Sequence, residues 1–117
     1  MKHPERIIQI NVVNWLRQKH PEIKFQANIP EQKSTIAWRM IQDRMGFRSG
    51  ISDLFFPGGN EKYKGLWLEL KTEDGKLATS QKLFLSDMIE LGYDAKVAYG
   101  YDEAMHIICD FYNICFT

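Results

Sequence analysis

Two short hydrophobic stretches of this chain carry ionisable residues where a buried strand would normally be apolar. Residues 51–56 include Asp53, and residues 66–71 include Glu69 and Lys71. An ionised group on a core strand costs free energy unless an opposite charge, a hydrogen bond or a metal ion compensates it. Side chains alternate along a strand, so Glu69 and Lys71 share one face. We therefore treat these three residues as candidate catalytic groups.

Their chemistry follows from the oxygen and nitrogen atoms that they offer. If Asp53 lies opposite Glu69 in a hairpin, the two carboxylates and the Leu70 carbonyl supply oxygen ligands of the kind that Mg²⁺ or Mn²⁺ prefers. Such an ion polarises a phosphate and lowers the pKa of a bound water, while Lys71 orients that water or stabilises the transition state. Spacing alone also allows a plain ion pair between Glu69 and Lys71 on an exposed strand, with Asp53 capping a turn.

The surrounding pattern predicts eight elements in the order α, β, α, β, β, α, β, α. They are a helix over residues 4–19, a strand over 24–28, a helix over 36–45, hairpin strands over 50–56 and 66–71, a helix capped by Thr79 or Ser80, a strand over 95–99, and a helix capped by Asp102. This order predicts an α/β domain with a central mixed sheet flanked by helices. The third helix is expected to carry its apolar residues at Leu83, Phe84, Met88 and Leu91.

The overall composition restricts the class of protein to which this chain can belong. A chain of 117 residues that is 44% hydrophobic suits one domain over residues 1–117. No stretch has the apolar length of a membrane span, and the start has no signal-peptide pattern, so a cytoplasmic protein is expected. Cys109 and Cys115 have no metal-ligand spacing, and we expect both to be small buried side chains.

The charges are unevenly distributed although they sum to zero. Residues 1–82 hold 14 Lys or Arg against 9 Asp or Glu, whereas residues 83–117 hold 1 against 6. The basic part contains the candidate carboxylates, which suits a polyanionic substrate. Residues 29–50 are the predicted phosphate-contacting segment, and Trp38 would stack on a base or lie at a dimer interface. The proposed phosphate ligands are Lys33, Arg39, Arg44 and Arg48, although the same helix also fits a plain amphipathic surface helix.

Three blocks of the sequence resemble one known family. Residues 50–56 (GISDLFF), 68–77 (LELKTEDGKL) and 79–81 (TSQ) are similar to the PD-(D/E)xK nucleases, specifically their VRR-NUC branch. The resemblance extends from the first helix to the last helix, near residues 102–104. It implies a restriction-endonuclease-like α/β core.

The resemblance also implies roles for individual residues. Asp53 and Glu69, with the Leu70 carbonyl, would be metal ligands for Mg²⁺ or Mn²⁺. Lys71 would be the catalytic lysine, and Gln81 would be an active-site residue near the phosphate. Glu5, or otherwise Gln9, matches the acidic or amide position on the first helix, which would make Glu5 a further metal ligand.

Two positions depart from the family pattern, namely Ser52 in place of proline and Leu85 where many relatives have tyrosine. Small stand-alone members resemble phage and bacterial forms that act as homodimers on branched DNA, such as four-way junctions. The resemblance therefore implies a metal-dependent endodeoxyribonuclease with DNA and a second copy of the chain as partners.

Two further functions fit parts of the pattern. A nucleic-acid-binding module of the same fold, catalytically silent or dependent on a partner, would need no carboxylate cluster, yet this chain keeps one. An RNA-processing endonuclease of the tRNA-intron type would use tyrosine, histidine and lysine without a metal, and no such set is present near one strand end. The three histidines have no ligand spacing; they are His3, His20 and His106.

Overall fold

The computed structural model describes residues 4–28 and 35–114. Its elements follow the predicted order. They are α1 (Pro4–Lys19), β1 (Gln26–Ala27), α2 (Ile36–Arg44), β2 (Leu54–Phe56), β3 (Leu66–Lys71), α3 (Thr79–Glu90), β4 (Asp94–Tyr99) and α4 (Tyr101–Tyr112).

The four strands form one mixed sheet in the order β1-β2-β3-β4. β1, β2 and β3 are antiparallel neighbours, and β4 runs parallel to β3. The predicted hairpin is therefore confirmed, with Leu54 opposite Leu68. β1 and β2 are shorter than predicted, and the turn at Gly50, whose φ is +88°, directs the chain away from an extended path before β2.

One face of the sheet carries the hydrophobic core. β3 directs Leu66, Leu68 and Leu70 to this face, where they meet α1 and α4. Alternation along β3 leaves its other residues on the opposite face. The remaining core side chains come mainly from the two helices and β2, and they include Val12, Trp15, Leu16, Leu54, Phe56, Ala104, Ile108, Cys109 and Phe111.

α3 covers the opposite face of the sheet through Phe84, whose ring meets Trp67 edge-on with centroids 4.9 Å apart. Phe84 and Leu85 are buried, whereas Leu83 and Leu91 are 58% and 56% exposed. The sheet covers only one narrow stripe of α3, and these two leucines point away from it.

Two predicted helix caps are wrong. Ala78 precedes α3 as its N-cap, and its backbone N–H donates to Gln81 Oε1 at 2.8 Å. Gln81 therefore satisfies the N–H of the N-cap residue, and neither Thr79 nor Ser80 is the N-cap. Gly100 is the N-cap of α4, which leaves Asp102 inside the first helical turn, where its charge favours the helix dipole.

α2 stands apart from this packing. Thr35 Oγ1 accepts a hydrogen bond from the Trp38 backbone N–H at 3.1 Å and caps the helix N-terminus. No residue of α2 is buried. The helix predicted from the apolar spacing is therefore present, but its apolar residues remain exposed.

Some expectations concern residues outside the described ranges, including Lys33, His3 and Cys115. Cys109 is buried, as expected. Over residues 4–28 and 35–114, no helix combines the length and hydropathy that a membrane span requires.

Gly50 supports a testable prediction about the loop that follows α2. A Cβ at this position would lie 2.7 Å from the backbone carbonyl carbon of Ser80, and φ is already +88°. We expect Gly50→Ala to lower the free energy of unfolding by about 2–4 kcal/mol, because left-handed strain adds to a backbone clash. Urea denaturation followed by fluorescence measures this loss.

Gly46 provides a matched control for that measurement. Its φ is +96°, but nothing lies within 4 Å of a Cβ built there. Gly46→Ala should therefore lose only the conformational contribution, about 1–2 kcal/mol. Equal losses in the two variants would show that the contact with Ser80 is unimportant.

Candidate active site

The sheet register brings the two candidate carboxylates together. Because Leu54 pairs with Leu68, the residue before β2, Asp53, lies opposite Glu69. Asp53 Oδ2 accepts a hydrogen bond from the Leu70 backbone N–H at 2.7 Å. The Asp53 carboxylate is therefore held against β3 beside Glu69.

Glu69 is only 3% exposed, and α3 holds one of its oxygens. Gln81 Nε2 donates to Glu69 Oε2 at 3.1 Å. The Ala78 N–H fixes the other end of the same amide, so Gln81 must present its NH₂ group to Glu69. Glu69 Oε1 is buried, and no N–H group of the described residues donates to it.

The environment of Glu69 strongly disfavours its charge in the metal-free protein. Burial raises the pKa of its carboxyl to about 9, and the neighbouring charge of Asp53 adds to the rise. Lys71 acts in the opposite direction and lowers this pKa, but by less. The carboxyl of Glu69 is therefore costly to ionise in this position unless a cation compensates it.

Lys71 follows Glu69 on the same face and is 9% exposed. Its Nζ lies 3.9 Å from Glu5 Oε2, which reaches the site from the start of α1. Its backbone carbonyl accepts from the Gly100 N–H at 2.9 Å. Gln9, the other candidate on α1, is half-buried one turn further along. The structure thus places Glu5 beside the lysine, while its role as a metal ligand stays a prediction.

Asn28 also contacts this site, and the sequence did not single it out. Its side-chain amide donates to the Ser52 carbonyl, and its backbone N–H donates to the Asp53 carbonyl at 3.0 Å. Ser52, which replaces the family's proline, is fully buried. Asn28 thus holds the backbone on both sides of the residue that carries the carboxylate. A strand-ending asparagine gives no signal that its amide reaches 24 residues along the chain.

The donor set fits a hard divalent cation. Glu69 Oε1 is a buried oxygen without a hydrogen-bond donor, and the carboxylate of Asp53 lies beside it. No cluster of three His, Cys, Asp or Glu side chains suited to a metal occurs in the described part of the chain. Magnesium commonly binds through one or two carboxylates, with waters and phosphate oxygens completing its shell. Asp53 and Glu69, with the Leu70 carbonyl, would hold Mg²⁺ or Mn²⁺ here.

Comparisons with known proteins agree with this geometry. The sequence profile described as "VRR-NUC domain" matches residues 1–102. The chain belongs to the VRR-NUC family. A solved structure titled "VRR_NUC domain protein" superposes with a TM-score of 0.76 and 26% identity, covering 94% of this chain and 88% of that chain. No curated protein sequence matches the chain.

VRR-NUC domains are PD-(D/E)xK nucleases, so this protein belongs to a nuclease family. The predicted restriction-endonuclease-like core is confirmed by the mixed sheet and by the structural match. The VRR-NUC fold brings together five of the predicted site residues. They are Glu5, Asp53, Glu69, Lys71 and Gln81.

Three of the predicted phosphate ligands lie on α2 or in the loop that follows it. Arg39 and Arg44 are exposed on α2, and the Arg48 guanidinium stands over the Phe84 ring at 5.6 Å from its centroid. Lys33 is outside the described residues. Contacts between these arginines and nucleic acid remain predictions.

Proposed function

We propose that this VRR-NUC domain is a metal-dependent endonuclease that hydrolyses phosphodiester bonds in branched DNA, such as four-way junctions. The observation that carries this proposal is the buried carboxyl of Glu69, whose Oε1 has no hydrogen-bond donor among the described residues. Asp53 and Lys71 lie beside it. A protein that used these strands only for stability would gain from apolar side chains at the same positions.

Each residue of the site has a distinct part in the proposed reaction. Asp53 and Glu69 hold the divalent cation, which when bound would polarise the phosphate and lower the pKa of water. Gln81 keeps Glu69 oriented through its 3.1 Å hydrogen bond. Lys71 stabilises the negative charge that develops on the phosphate oxygens. Glu5 holds the ammonium group of Lys71 at the site.

Branched DNA is the proposed substrate class because its symmetric cleavage requires two equivalent active sites. One carboxylate pair and one lysine make one site, and one site cuts one strand. Symmetric resolution of a four-way junction needs two cuts, and a two-fold dimer places two identical sites in related positions. The net positive charge of residues 1–82 favours a polyanion at this part of the chain.

The test is cleavage of labelled DNA by the purified protein. Four-way junction, flap, single-stranded and linear duplex substrates are each incubated with Mg²⁺, Mn²⁺ or chelator, and Glu69→Gln is the control. We expect cutting only with metal, fastest on the four-way junction, and absent in the Glu69→Gln variant.

The alternative outcomes separate the candidate functions. Tight junction binding without cutting, under every metal condition, would favour the binding module or a nuclease that needs a partner. Fast cutting of linear duplex with no preference for branches would retain the nuclease and remove the junction specificity. Full activity in chelator would contradict the metal requirement.

A further inference from the structure

A tyrosine lies beside the active-site lysine, at the end of the neighbouring strand. The parallel register of β3 and β4 pairs Lys71 with Tyr99. Ala98 belongs to the hydrophobic core, so strand alternation directs Tyr99 to the opposite face of the sheet. That face also carries Glu69 and Lys71. Because adjacent strands are about 4.8 Å apart, the Tyr99 side chain starts next to that of the lysine.

The backbone around Tyr99 is fixed, whereas its side chain is open to solvent. The Tyr99 N–H donates to Glu103 Oε1 at 3.2 Å, and the Gly100 N–H donates to the Lys71 carbonyl at 2.9 Å. These bonds attach the end of β4 to both α4 and β3. Tyr99 is nevertheless 38% exposed. A ring on such a fixed support loses little freedom when a ligand stacks on it.

The structure leaves room for a ligand beside this tyrosine. β4 is the last strand of the sheet, so its outer side has no strand neighbour in the described part of the chain. Gly100 follows Tyr99, and no atom of the described residues lies within 4 Å of a Cβ built there. A flat group can therefore approach the end of β4 without displacing a side chain.

Tyr99 is also close enough to the metal site to contact the same DNA strand. The register places it one strand across from β3 and two residues further along than Glu69, which corresponds to Cα atoms about 8 Å apart. Successive phosphates of one DNA strand rise by about 3.4 Å along the helix axis. The ring therefore lies within a few nucleotides of a phosphate held by Asp53 and Glu69.

We propose that Tyr99 is a specificity-determining residue, whose ring stacks on a nucleobase close to the phosphate that is cut. This inference rests on the proposed function, and it names the feature of branched DNA that the site recognises. In a continuous duplex, neighbouring bases cover both faces of each base. At a branch point or in an unpaired strand, one face of a base becomes accessible, and an aromatic side chain can stack on it.

The charges at the end of β4 favour a base over a phosphate as the group that Tyr99 contacts. Asp102 and Glu103 lie in the first turn of α4, and the Glu103 carboxylate is bonded to the Tyr99 N–H. These carboxylates repel a phosphate, whereas a neutral base meets no such repulsion. Lys71 is the cation on the other side of the tyrosine. A DNA strand would thus place its phosphate at the lysine and its base on the ring.

The experiment measures binding of a labelled four-way junction and of a linear duplex by the full chain. Chelator is present so that the result does not depend on cutting, and the salt concentration is held constant. Tyr99→Leu removes the ring and keeps an apolar side chain, whereas Tyr99→Phe keeps the ring and removes the hydroxyl. Tyr63→Leu is the matched control, because Tyr63 is 36% exposed and lies between β2 and β3. Circular dichroism checks the fold of each protein.

We expect the wild type to bind the junction at least about tenfold more tightly than the duplex. Tyr99→Leu should weaken junction binding by about tenfold to a hundredfold and leave duplex binding nearly unchanged, because stacking requires an open base. Tyr99→Phe and Tyr63→Leu should remain within about threefold of the wild type. No junction binding by the wild type, equal weakening on both DNAs, or unchanged junction binding in Tyr99→Leu would each overturn the proposal. So would a loss in Tyr99→Phe or Tyr63→Leu as large as that in Tyr99→Leu.

An abasic scan provides a readout that a purely structural role of Tyr99 would not change. Junctions that each lack one base near the crossover are bound to the wild type and to Tyr99→Leu. At one position, the missing base should weaken wild-type binding about tenfold and leave Tyr99→Leu unaffected, because the base and the ring are partners. Losses that multiply at every position would show that the ring stacks on no base and would overturn the proposal.

The binding and cleavage assays can fail independently. A junction preference that depends on Tyr99, without cutting under any metal condition, would retain the stacking contact and contradict the nuclease. Metal-dependent cutting of the junction that is equally fast in Tyr99→Leu at low DNA concentration would retain the nuclease and remove Tyr99 as a specificity residue.

Discussion

Lys71→Ala is expected to lower the rate of DNA cleavage by on the order of a thousandfold, about 4 kcal/mol of transition-state stabilisation. Lys71 is 9% exposed and shares a strand face with Glu69. In this partly buried position, its charge acts on the phosphate with little screening by water. The measurement is single-turnover cleavage of a labelled four-way junction at saturating Mg²⁺.

Metal affinity separates the role of Lys71 from that of Glu69. Removing a cation near the carboxylates should leave Mn²⁺ binding unchanged or tighter, whereas Glu69→Gln should lose most of it because one anionic ligand disappears. Calorimetric titration with Mn²⁺ distinguishes these cases. Wild-type rates in Lys71→Ala would exclude the lysine from the mechanism.

Lys96→Ala is the matched control for loss of a lysine from the sheet. Lys96 lies on β4, the parallel neighbour of β3, and its Nζ is 3.7 Å from Asp94 Oδ1. The Lys96 side chain is half-exposed, whereas the Asp94 side chain is only 13% exposed. An ion pair that solvent reaches from the lysine side contributes little to stability. Its removal should change neither the cleavage rate nor Mn²⁺ binding, so equal losses in the two variants would indicate a general effect of charge.

The sequence predicts well the part of the active site that lies on the β2–β3 hairpin, because strand alternation and hairpin pairing determine it. Alternation places Glu69 and Lys71 on one face, and a hairpin between two apolar runs fixes which residues can meet. The observed pairing of Leu54 with Leu68 then places Asp53 opposite Glu69. Each step depends on residues that are close in sequence or joined by one turn.

Contacts that depend on how the helices dock on the sheet were harder to predict from the sequence. The contact between Gln81 and Glu69 requires α3 to approach β3 at one angle, and no periodicity encodes that angle. The family resemblance, rather than the local pattern, supplied Gln81. Asn28 was missed because its amide acts across the sheet on Ser52, which is 24 residues away in the sequence.

α2 illustrates a different limit of prediction from sequence. Apolar residues at helical spacing correctly predict a helix, and they indicate that one face must be covered. They do not indicate whether the cover comes from the same chain. In the structure no α2 residue is buried, so Met40 and Ile41 remain exposed where a folded monomer would normally enclose them.

The raised pKa of Glu69 predicts how the stability of the metal-free protein varies with pH. Its carboxyl has a pKa of about 9 in the folded state, against 4.5 as the ordinary value, because it is buried next to Asp53. The folded state therefore binds more protons than the unfolded state between these values. The stabilising contribution is fully present below the ordinary pKa and is lost as the pH rises through about 9.

We accordingly expect the free energy of unfolding in chelator to fall by a few kcal/mol between about pH 5 and about pH 9. Urea denaturation followed by tryptophan fluorescence measures it. In Glu69→Gln the fall should be much smaller, because an amide keeps the shape of the side chain and does not titrate in this range. A fall of the same size in that variant would place the titrating group elsewhere.

Divalent metal should cancel this pH dependence if Asp53 and Glu69 are its ligands. A cation binds the ionised carboxylate, so binding near neutral pH must release about one proton from Glu69. The stabilisation by saturating Mn²⁺ should therefore grow as the pH rises, because Glu69 is protonated in a smaller fraction of the molecules and fewer protons have to be displaced. Calorimetry in buffers of different ionisation enthalpy measures the proton release directly. Stabilisation by Mn²⁺ that is independent of pH would show that the ion binds without displacing the Glu69 proton.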